Sequence, residues 1–245
     1  MLKFERINQL QEYLNQHQTA TIKQLAKDLY RSETMIRRDL AEMEKIGIVK
    51  RQYGYVMLLK DKNIVSDFTM RANEMINEKS IVAQKALSLV NHNDVIFLDE
   101  SSTTYMLAKL LDPSYNLTIV TNSIAISELM ISMHIKTFCT GGFINERTHS
   151  FIGDITKKNI KEIFTNTCFF SSSGIMNNGT ICDKDENNAS AKKTILQSTD
   201  KKIYLCDHTK FGVAYPYIIA ASDELDFLIT DKVDAPLPFK VKNLL

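Results

Sequence analysis

The chain has 245 residues, of which 44% are hydrophobic and 24% charged, with a net charge of +1; this is ordinary for a globular protein of one large domain, or a small one plus a medium one. The near-zero charge excludes a strongly basic or acidic field over the whole molecule, and no apolar run reaches the ~18 residues that a membrane-spanning helix requires. Cys139, Cys168, Cys182 and Cys206 contain no C-x-x-C pair. Three of them sit in or beside apolar runs, where buried reduced thiols are expected. The start, MLKFERINQL, is charged and amphipathic, unlike a secretory signal, so the cytoplasm is the expected compartment.

The charge is unevenly divided. Residues 1–60 hold 11 Lys/Arg against 7 Asp/Glu, and the remainder 19 against 22. A basic head on an acidic body suggests that the head meets a polyanion; chance fluctuation in a short window is the alternative.

In chain order, Ile7, Leu10 and Leu14 predict a first helix. Ile22, Leu25, Ala26 and Leu29 recur at the same period in a second. Ser32 is placed to cap a third, running from about Glu33 to Ile46, with an apolar stripe of Ile36, Leu40 and Met43. Gly47 stands where helices end in a left-handed residue. Two strands follow, from Ile48 to Arg51 and from Tyr55 to Leu59, around a Tyr53-Gly54 turn. Residues 60–80 read as a partly helical connector.

Beyond residue 81 the pattern changes to short buried strands: 95–99, 117–121, 136–140, 167–172, 202–207 and 226–230. Helical stretches intervene up to Leu111, from Ser123, and at about 154–164 and 188–199. Strands alternating with helices predict an α/β domain with a mostly parallel sheet.

Thr21 to Asp39 has the anatomy of a helix-turn-helix: a short amphipathic helix, the three-residue turn Tyr30-Arg31-Ser32, and a second helix. That helix carries Thr34, Arg37, Arg38 and Ala41 on the face opposite its apolar stripe. Two guanidiniums and a hydroxyl on one exposed face suit the major groove. Asp39 lies off that face, placed to pair with a neighbouring Arg. The 48–59 hairpin is a wing whose Lys50, Arg51 and Gln52 are placed for phosphates, contacts that position without reading sequence. A dibasic pair alone is also what a solvated helix surface shows; the full order of elements favours DNA. The candidate DNA contacts are Ser32, Glu33, Thr34, Arg37, Arg38, Lys50, Arg51 and Gln52.

In the larger domain, Asp99-Glu100-Ser101-Ser102-Thr103-Thr104 follows the first strand and opens a helix. Hydroxyls and free N–H groups at a helix start suit an anion; a plain N-cap is the other reading. Thr121-Asn122-Ser123 and Thr140-Gly141-Gly142 follow the next two strands. Three such loops on one sheet edge predict a shared site. Lys192, Lys193 and Lys210 are sources of positive charge there, or surface lysines. The candidate effector-binding residues are Asp99, Ser101, Ser102, Thr103, Thr104, Thr121, Asn122, Gly141, Gly142, Lys192 and Lys210.

The stretch SETMIRRDLAEMEKIGIVKR resembles the signature of the deoxyribose-operon repressor (DeoR) family, in Ser32, Ile36-Arg37-Arg38-Asp39-Leu40, Met43, Gly47 and Arg51. The resemblance continues through FLDESSTT, IVTNS, TGG, the phenylalanine-rich strand before Gly174, Ala191-Lys192-Lys193, Lys210-Phe211-Gly212 and Thr230-Asp231. It implies that the helix from Glu33 is the recognition helix. It also implies a sensor domain similar to ribose-5-phosphate isomerase that takes phosphorylated sugars. This chain departs from the family pattern at Arg31 (usually Val), Met35 (usually Thr), Tyr53-Gly54-Tyr55 (usually His-Gly-Gly) and Ser102 (usually Gly). Ser172-Ser173-Gly174 replaces a Gly-x-Asp-Gly whose Asp a related isomerase would use, which argues against catalysis. Cys182-Asp183, Asn187-Asn188 and His208-Thr209 are further departures.

The expected fold class is therefore α/β: an N-terminal winged helix-turn-helix (1–59), a linker (60–80), an α/β sensing and oligomerisation domain with a mostly parallel, ribose-5-phosphate-isomerase-like sheet (81–233), and a C-terminal tail (234–245). The expected function is a transcription regulator, a repressor of a sugar-metabolism operon modulated by a phosphorylated sugar. Its expected partners are a double-stranded DNA operator, that effector, and further copies of itself as a homodimer or homotetramer. No membrane partner, cofactor or metal is expected: the histidines show no i, i+4 pairing, and no Walker or G-x-G-x-x-G loop occurs. A constitutive DNA-binding protein whose C-terminal domain only oligomerises, and an isomerase-like enzyme, stay open as alternatives.

Overall fold

The first helical spacing is realised as α1 (Lys3–His17), with Leu10 and Leu14 fully buried. The computed structural model describes residues 3–17, 19–45, 48–52, 54–58, 68–233 and 236–245. The chain divides into two units, Met1–Ile64 and Val65–Leu245.

In the first unit, β1 (Thr19–Thr21) leads into α2 (Ile22–Asp28). Thr21 Oγ1 accepts the Gln24 N–H at 3.2 Å while Gln24 Oε1 accepts the Thr21 N–H at 2.8 Å. This reciprocal capping box satisfies two backbone donors at the helix start. At the other end the Tyr30 N–H donates to Lys27 O and the Arg31 N–H to Ala26 O, a Schellman closure that turns the chain into α3 (Glu33–Lys45). Ser32 Oγ caps α3 by accepting the Met35 N–H. Ile36, Leu40 and Met43 are fully buried, together with Leu25 of α2. β2 (Val49–Gln52) and β3 (Tyr55–Leu58) form the expected hairpin. β1 adds an unanticipated third strand in the antiparallel order β1-β3-β2. Gly47 and Tyr53 lie outside the described residues.

The second unit opens with α4 (Phe68–Asn73) and α5 (Ile76–Leu87). α4 falls wholly and α5 partly within the expected connector, and both pack on α6 (Ser102–Ala108). All six expected strands are present: β4 (Val95–Leu98), β5 (Thr118–Thr121), β6 (Lys136–Cys139), β9 (Thr165–Phe170), β12 (Thr199–Leu205) and β14 (Phe227–Ile229). They form one parallel sheet in the order β14-β12-β9-β4-β5-β6. Alternate residues of a strand face opposite sides, and β4 shows it: Ile96 and Leu98 join one apolar cluster, Phe97 the other. The first face is covered by α5, α6 and α7 (Ile124–Ser132), through Val82, Leu107 and Met130. The second is covered by α8 (Asp154–Lys161) and α9 (Glu186–Leu196), through Ile160 and Ile195.

Three further strands that no sequence pattern announced add to the second face. β10 (Gly174–Ile175) and β11 (Thr180–Asp183) pair antiparallel, and β13 (Tyr217–Ala221) adds to β11; Ile175, Ile181 and Ile219 carry their apolar contribution. β7 (Phe143–Asn145) and β8 (Ser150–Ile152) form a separate hairpin. The expected C-terminal tail runs along β14: the Leu228 N–H donates to Asn243 O at 2.9 Å and the Leu245 N–H to Leu228 O at 3.0 Å. Residues 234 and 235 lie outside the described residues.

The strand order has one consequence for function. From β4 the chain winds outward through β5 and β6; from β9, beside β4, it winds the other way through β12 and β14. The loops leaving β4 and β9 therefore part and open a crevice at the carboxyl ends of these strands, where open α/β sheets bind ligands.

Candidate functional site

On α3 the apolar stripe fixes which residues face out. Thr34, Arg37, Arg38 and Ala41 are exposed, as is Ser32 at the cap, with Glu33 half-buried. Arg37 Nη2 lies 3.3 Å from Glu33 Oε2, an exposed i, i+4 pair of little energetic weight, so the guanidinium is readily released to another acceptor. Asp39 points the other way and is buried; its partner is Arg6 of α1, which donates from Nε at 2.8 Å and from Nη2 at 3.0 Å. Arg31 also reaches back to α1, donating to Arg6 O at 3.2 Å and to Gln9 Oε1.

Of the wing residues, Lys50 is exposed. The Arg51 guanidinium is 2.6 Å from Glu44 Oε2, and the Arg51 N–H donates to Glu44 Oε1 at 2.9 Å. These bonds hold the Glu44 carboxyl below its ordinary range and fasten the hairpin to α3. The Gln52 side chain lies outside the described residues.

The crevice between the β4 and β9 loops is a cavity of about 110 Å³. Two charge clusters line it. In the first, Lys192 of α9 is buried among three carboxylates: Nζ is 2.8 Å from Glu100 Oε1, 2.8 Å from Asp183 Oδ2 and 3.6 Å from Asp99 Oδ2. Burial pushes the Glu100 carboxyl up, and the attraction of Lys192 only partly offsets this. Burial also pushes Asp183 up, but Lys192, the Ser173 hydroxyl and the Lys184 N–H outweigh it and hold that carboxyl low. For Lys192 burial disfavours the charge, and Asp183, Glu100 and Asp99 together more than restore it.

The second cluster contains Arg71, Glu74, Lys79 and Lys210. Lys79 Nζ donates to Arg71 O at 2.5 Å and Glu74 O at 2.7 Å. Burial, and then the neighbouring charge of Lys210, push its ammonium down to about 8. Hydroxyls from Ser101, Ser102, Thr103, Thr148, Ser171, Ser172 and Ser173, and the amide of Asn188, also line the cavity.

The expected effector residues divide on this geometry. Ser101, Ser102, Thr103, Lys192 and Lys210 line the cavity. Lys192 is engaged with carboxylates rather than open to an anion. Asp99 and Thr104 build the loop from behind: Asp99 Oδ1 accepts the Ser101 N–H and the Thr104 hydroxyl, and Asp99 Oδ2 accepts the Ser171 N–H at 3.0 Å, which stitches the two loops together. Asn122 Nδ2 donates to Glu100 Oε2 at 3.3 Å, one shell behind the cavity wall. Thr121 Oγ1 donates to Leu98 O.

Gly141 and Gly142 are not among the cavity's lining residues. They follow β6, at the sheet edge and separated from β9 by β4 and β5, so the three loops do not converge. Gly142, at φ +122°, is required by packing, since a Cβ there would collide with Thr156 Oγ1. Sequence reasoning missed Arg71 and Lys79, which sit in the expected connector, and Asp183. The last followed a strand and preceded a helix in Asp183-Lys184-Asp185, a usable signal.

His208 Nδ1 is 2.7 Å from Asp231 Oδ2.

The family model described as the DeoR-like helix-turn-helix domain matches residues 6–62, and that of the DeoR C terminal sensor domain matches residues 74–232. The chain belongs to the DeoR family. It is a transcriptional regulator with a helix-turn-helix and a sensor domain, rather than an enzyme. Among DeoR-like relatives, the HTH-type transcriptional regulator GolR of Listeria innocua is 32% identical, covering 98% of this chain and 99% of its own. The L-fucose operon activator of Haemophilus influenzae is 32% identical over 90% of this chain and 89% of its own. A ribose 5-phosphate isomerase A from Methanocaldococcus jannaschii overlaps 54% of this DeoR-family chain and 53% of its own, with a TM-score of 0.41 and 15% identity. Among the described residues no helix is long and apolar enough to cross a membrane.

Proposed function

We propose that this DeoR-family regulator is a repressor of a sugar-metabolism operon and that a phosphorylated sugar in the β4–β9 cavity modulates its grip on DNA. The α3 face, with Ser32, Glu33, Thr34, Arg37 and Arg38, enters the major groove, and Lys50, Arg51 and Gln52 of the wing approach phosphates. The chain acts as a homodimer or homotetramer in the cytoplasm, because helix-turn-helix proteins read repeated half-sites.

The observation that carries the effector reading is the division of the cavity into two charge clusters. Arg71, Lys79 and Lys210 offer cations for a phosphate, joined by the hydroxyls of Ser101, Ser102 and Thr103. Glu100 and Asp183 belong to a cluster of three carboxylates around one ammonium. That cluster repels an anion and accepts hydrogen bonds from sugar hydroxyls. A ligand with a phosphate at one end and a polyol at the other satisfies both. Asp99, Thr104, Thr121 and Asn122 act behind the wall, by shaping the loops.

The test is a gel-shift titration on duplexes from upstream of its own and neighbouring genes, with and without a panel of sugar phosphates. Release by one compound supports the reading and names the effector. Binding indifferent to every compound, with no thermal shift from any, overturns the effector part. Loss of expression from the bound promoter on deletion of the gene overturns repression in favour of activation.

A further inference from the structure

Tyr30 occupies the position after α2 where the chain must adopt a left-handed conformation. Its φ is +53°. It is the left-handed residue of the Schellman closure formed by the Tyr30 and Arg31 N–H groups. Glycine is the usual occupant of that position because a Cβ there crowds the backbone. A tyrosine therefore costs the fold stability. Among the described residues nothing offsets the cost: the side chain is 96% exposed, and its ring and hydroxyl find no partner there. Arg31, the next residue, is drawn back onto α1, so the turn presents Tyr30 alone.

Strained residues persist where an outside interaction uses them. Tyr30 stands two residues before Ser32, at the N-terminal end of α3, the end that carries Glu33, Thr34 and Arg37. We infer that Tyr30 is a DNA contact, its hydroxyl donating to a phosphate oxygen of the backbone that flanks the groove entered by α3. This rests on the reading of α3 as the recognition helix. The contact fixes register without reading a base. Because tyrosine is neutral, it displaces no counterion.

The experiment uses the full chain and a duplex that the wild-type protein selects from a random-sequence pool. Affinities of wild type, Tyr30→Gly, Tyr30→Phe and Arg37→Ala are measured across salt, with thermal unfolding of each. Tyr30→Gly and Tyr30→Phe are expected to weaken binding about fivefold, with the salt slope unchanged, while Tyr30→Gly unfolds at a higher temperature than wild type. Affinity of Tyr30→Gly within twofold of wild type, while Arg37→Ala binds weakly, overturns the Tyr30 contact alone. A lower unfolding temperature for Tyr30→Gly also overturns it, since the ring would then be serving the fold. If Arg37→Ala binds as wild type does, or no duplex is selected, the recognition-helix reading falls and takes this contact with it.

Discussion

Arg6 of α1 forks onto both carboxylate oxygens of Asp39 in α3, at 2.8 and 3.0 Å, beneath the exposed face of that helix. Planar two-point pairing fixes rotation as well as distance. The angle at which α3 presents Arg37 and Arg38 is therefore set by a residue at the start of the chain.

Asp39→Asn should accordingly lower the unfolding midpoint by ~5 °C or more and weaken DNA binding in parallel. Arg6→Lys should recover little, because an ammonium cannot fork. Calorimetry with a gel shift on the same samples checks this; an Asp39→Asn protein that binds DNA as wild type does removes the pair from the account.

Arg37→Ala should weaken operator binding by more than ~tenfold at fixed salt, the scale of a lost base-edge contact. Lys50→Ala should instead reduce the slope of log affinity against log salt by about one. Fluorescence anisotropy across a salt series separates the two, and equal salt slopes in all three proteins would falsify the assignment of Lys50 to phosphate.

Lys192→Met should destabilise the sensor unit by about 3–5 kcal/mol, because Asp99, Glu100 and Asp183 are left buried without their cation. Adding Glu100→Gln should restore part of the loss by removing one of the stranded charges. Urea unfolding measures both; full stability in the single variant contradicts the geometry of the cluster.

Lys79 gives a pH signature. Its folded value of about 8 lies below its ordinary 10.5, so between these values the unfolded chain binds more protons and stability rises with pH. Below pH 8 the penalty is present in full. Wild type should therefore gain on a Lys79→Met variant as pH climbs from 8 to 10.5, by on the order of 2 kcal/mol. Anion affinity should run the other way, falling as the ammonium loses its proton, and the variant should lack that dependence. Isothermal titration with inorganic phosphate at pH 7 and pH 9 provides the check.

The helix-turn-helix was legible because its signals are local: an apolar stripe at Ile36, Leu40 and Met43, a capping serine, and a turn of three residues. The six parallel strands were legible for the same reason, each being a short apolar run between turn residues. The cavity was only half legible. Ser101 to Thr103 follow a strand and announce themselves, whereas Arg71 and Lys79 reach the site from a stretch with no strand pattern at all. Thr121, Asn122, Gly141 and Gly142 follow strands just as visibly but sit on the wrong side of β4. Only the strand order separates those cases, and order is a matter of which strands pair, which no local pattern encodes. The strands β10 and β11 were invisible because Gly174-Ile175 is only two residues long and Thr180-Ile181-Cys182-Asp183 has polar residues at both ends and is no apolar run.

The cavity draws its walls from residues 71–103, 148, 171–192 and 210, stretches of chain more than a hundred positions apart. A molecule seated there acts as a removable cross-link among them, tying the helix ahead of the sheet to the loops of β4, β9 and β12. Its arrival will be felt as slowed amide exchange at sites remote in sequence, with no bond made and no new secondary structure formed.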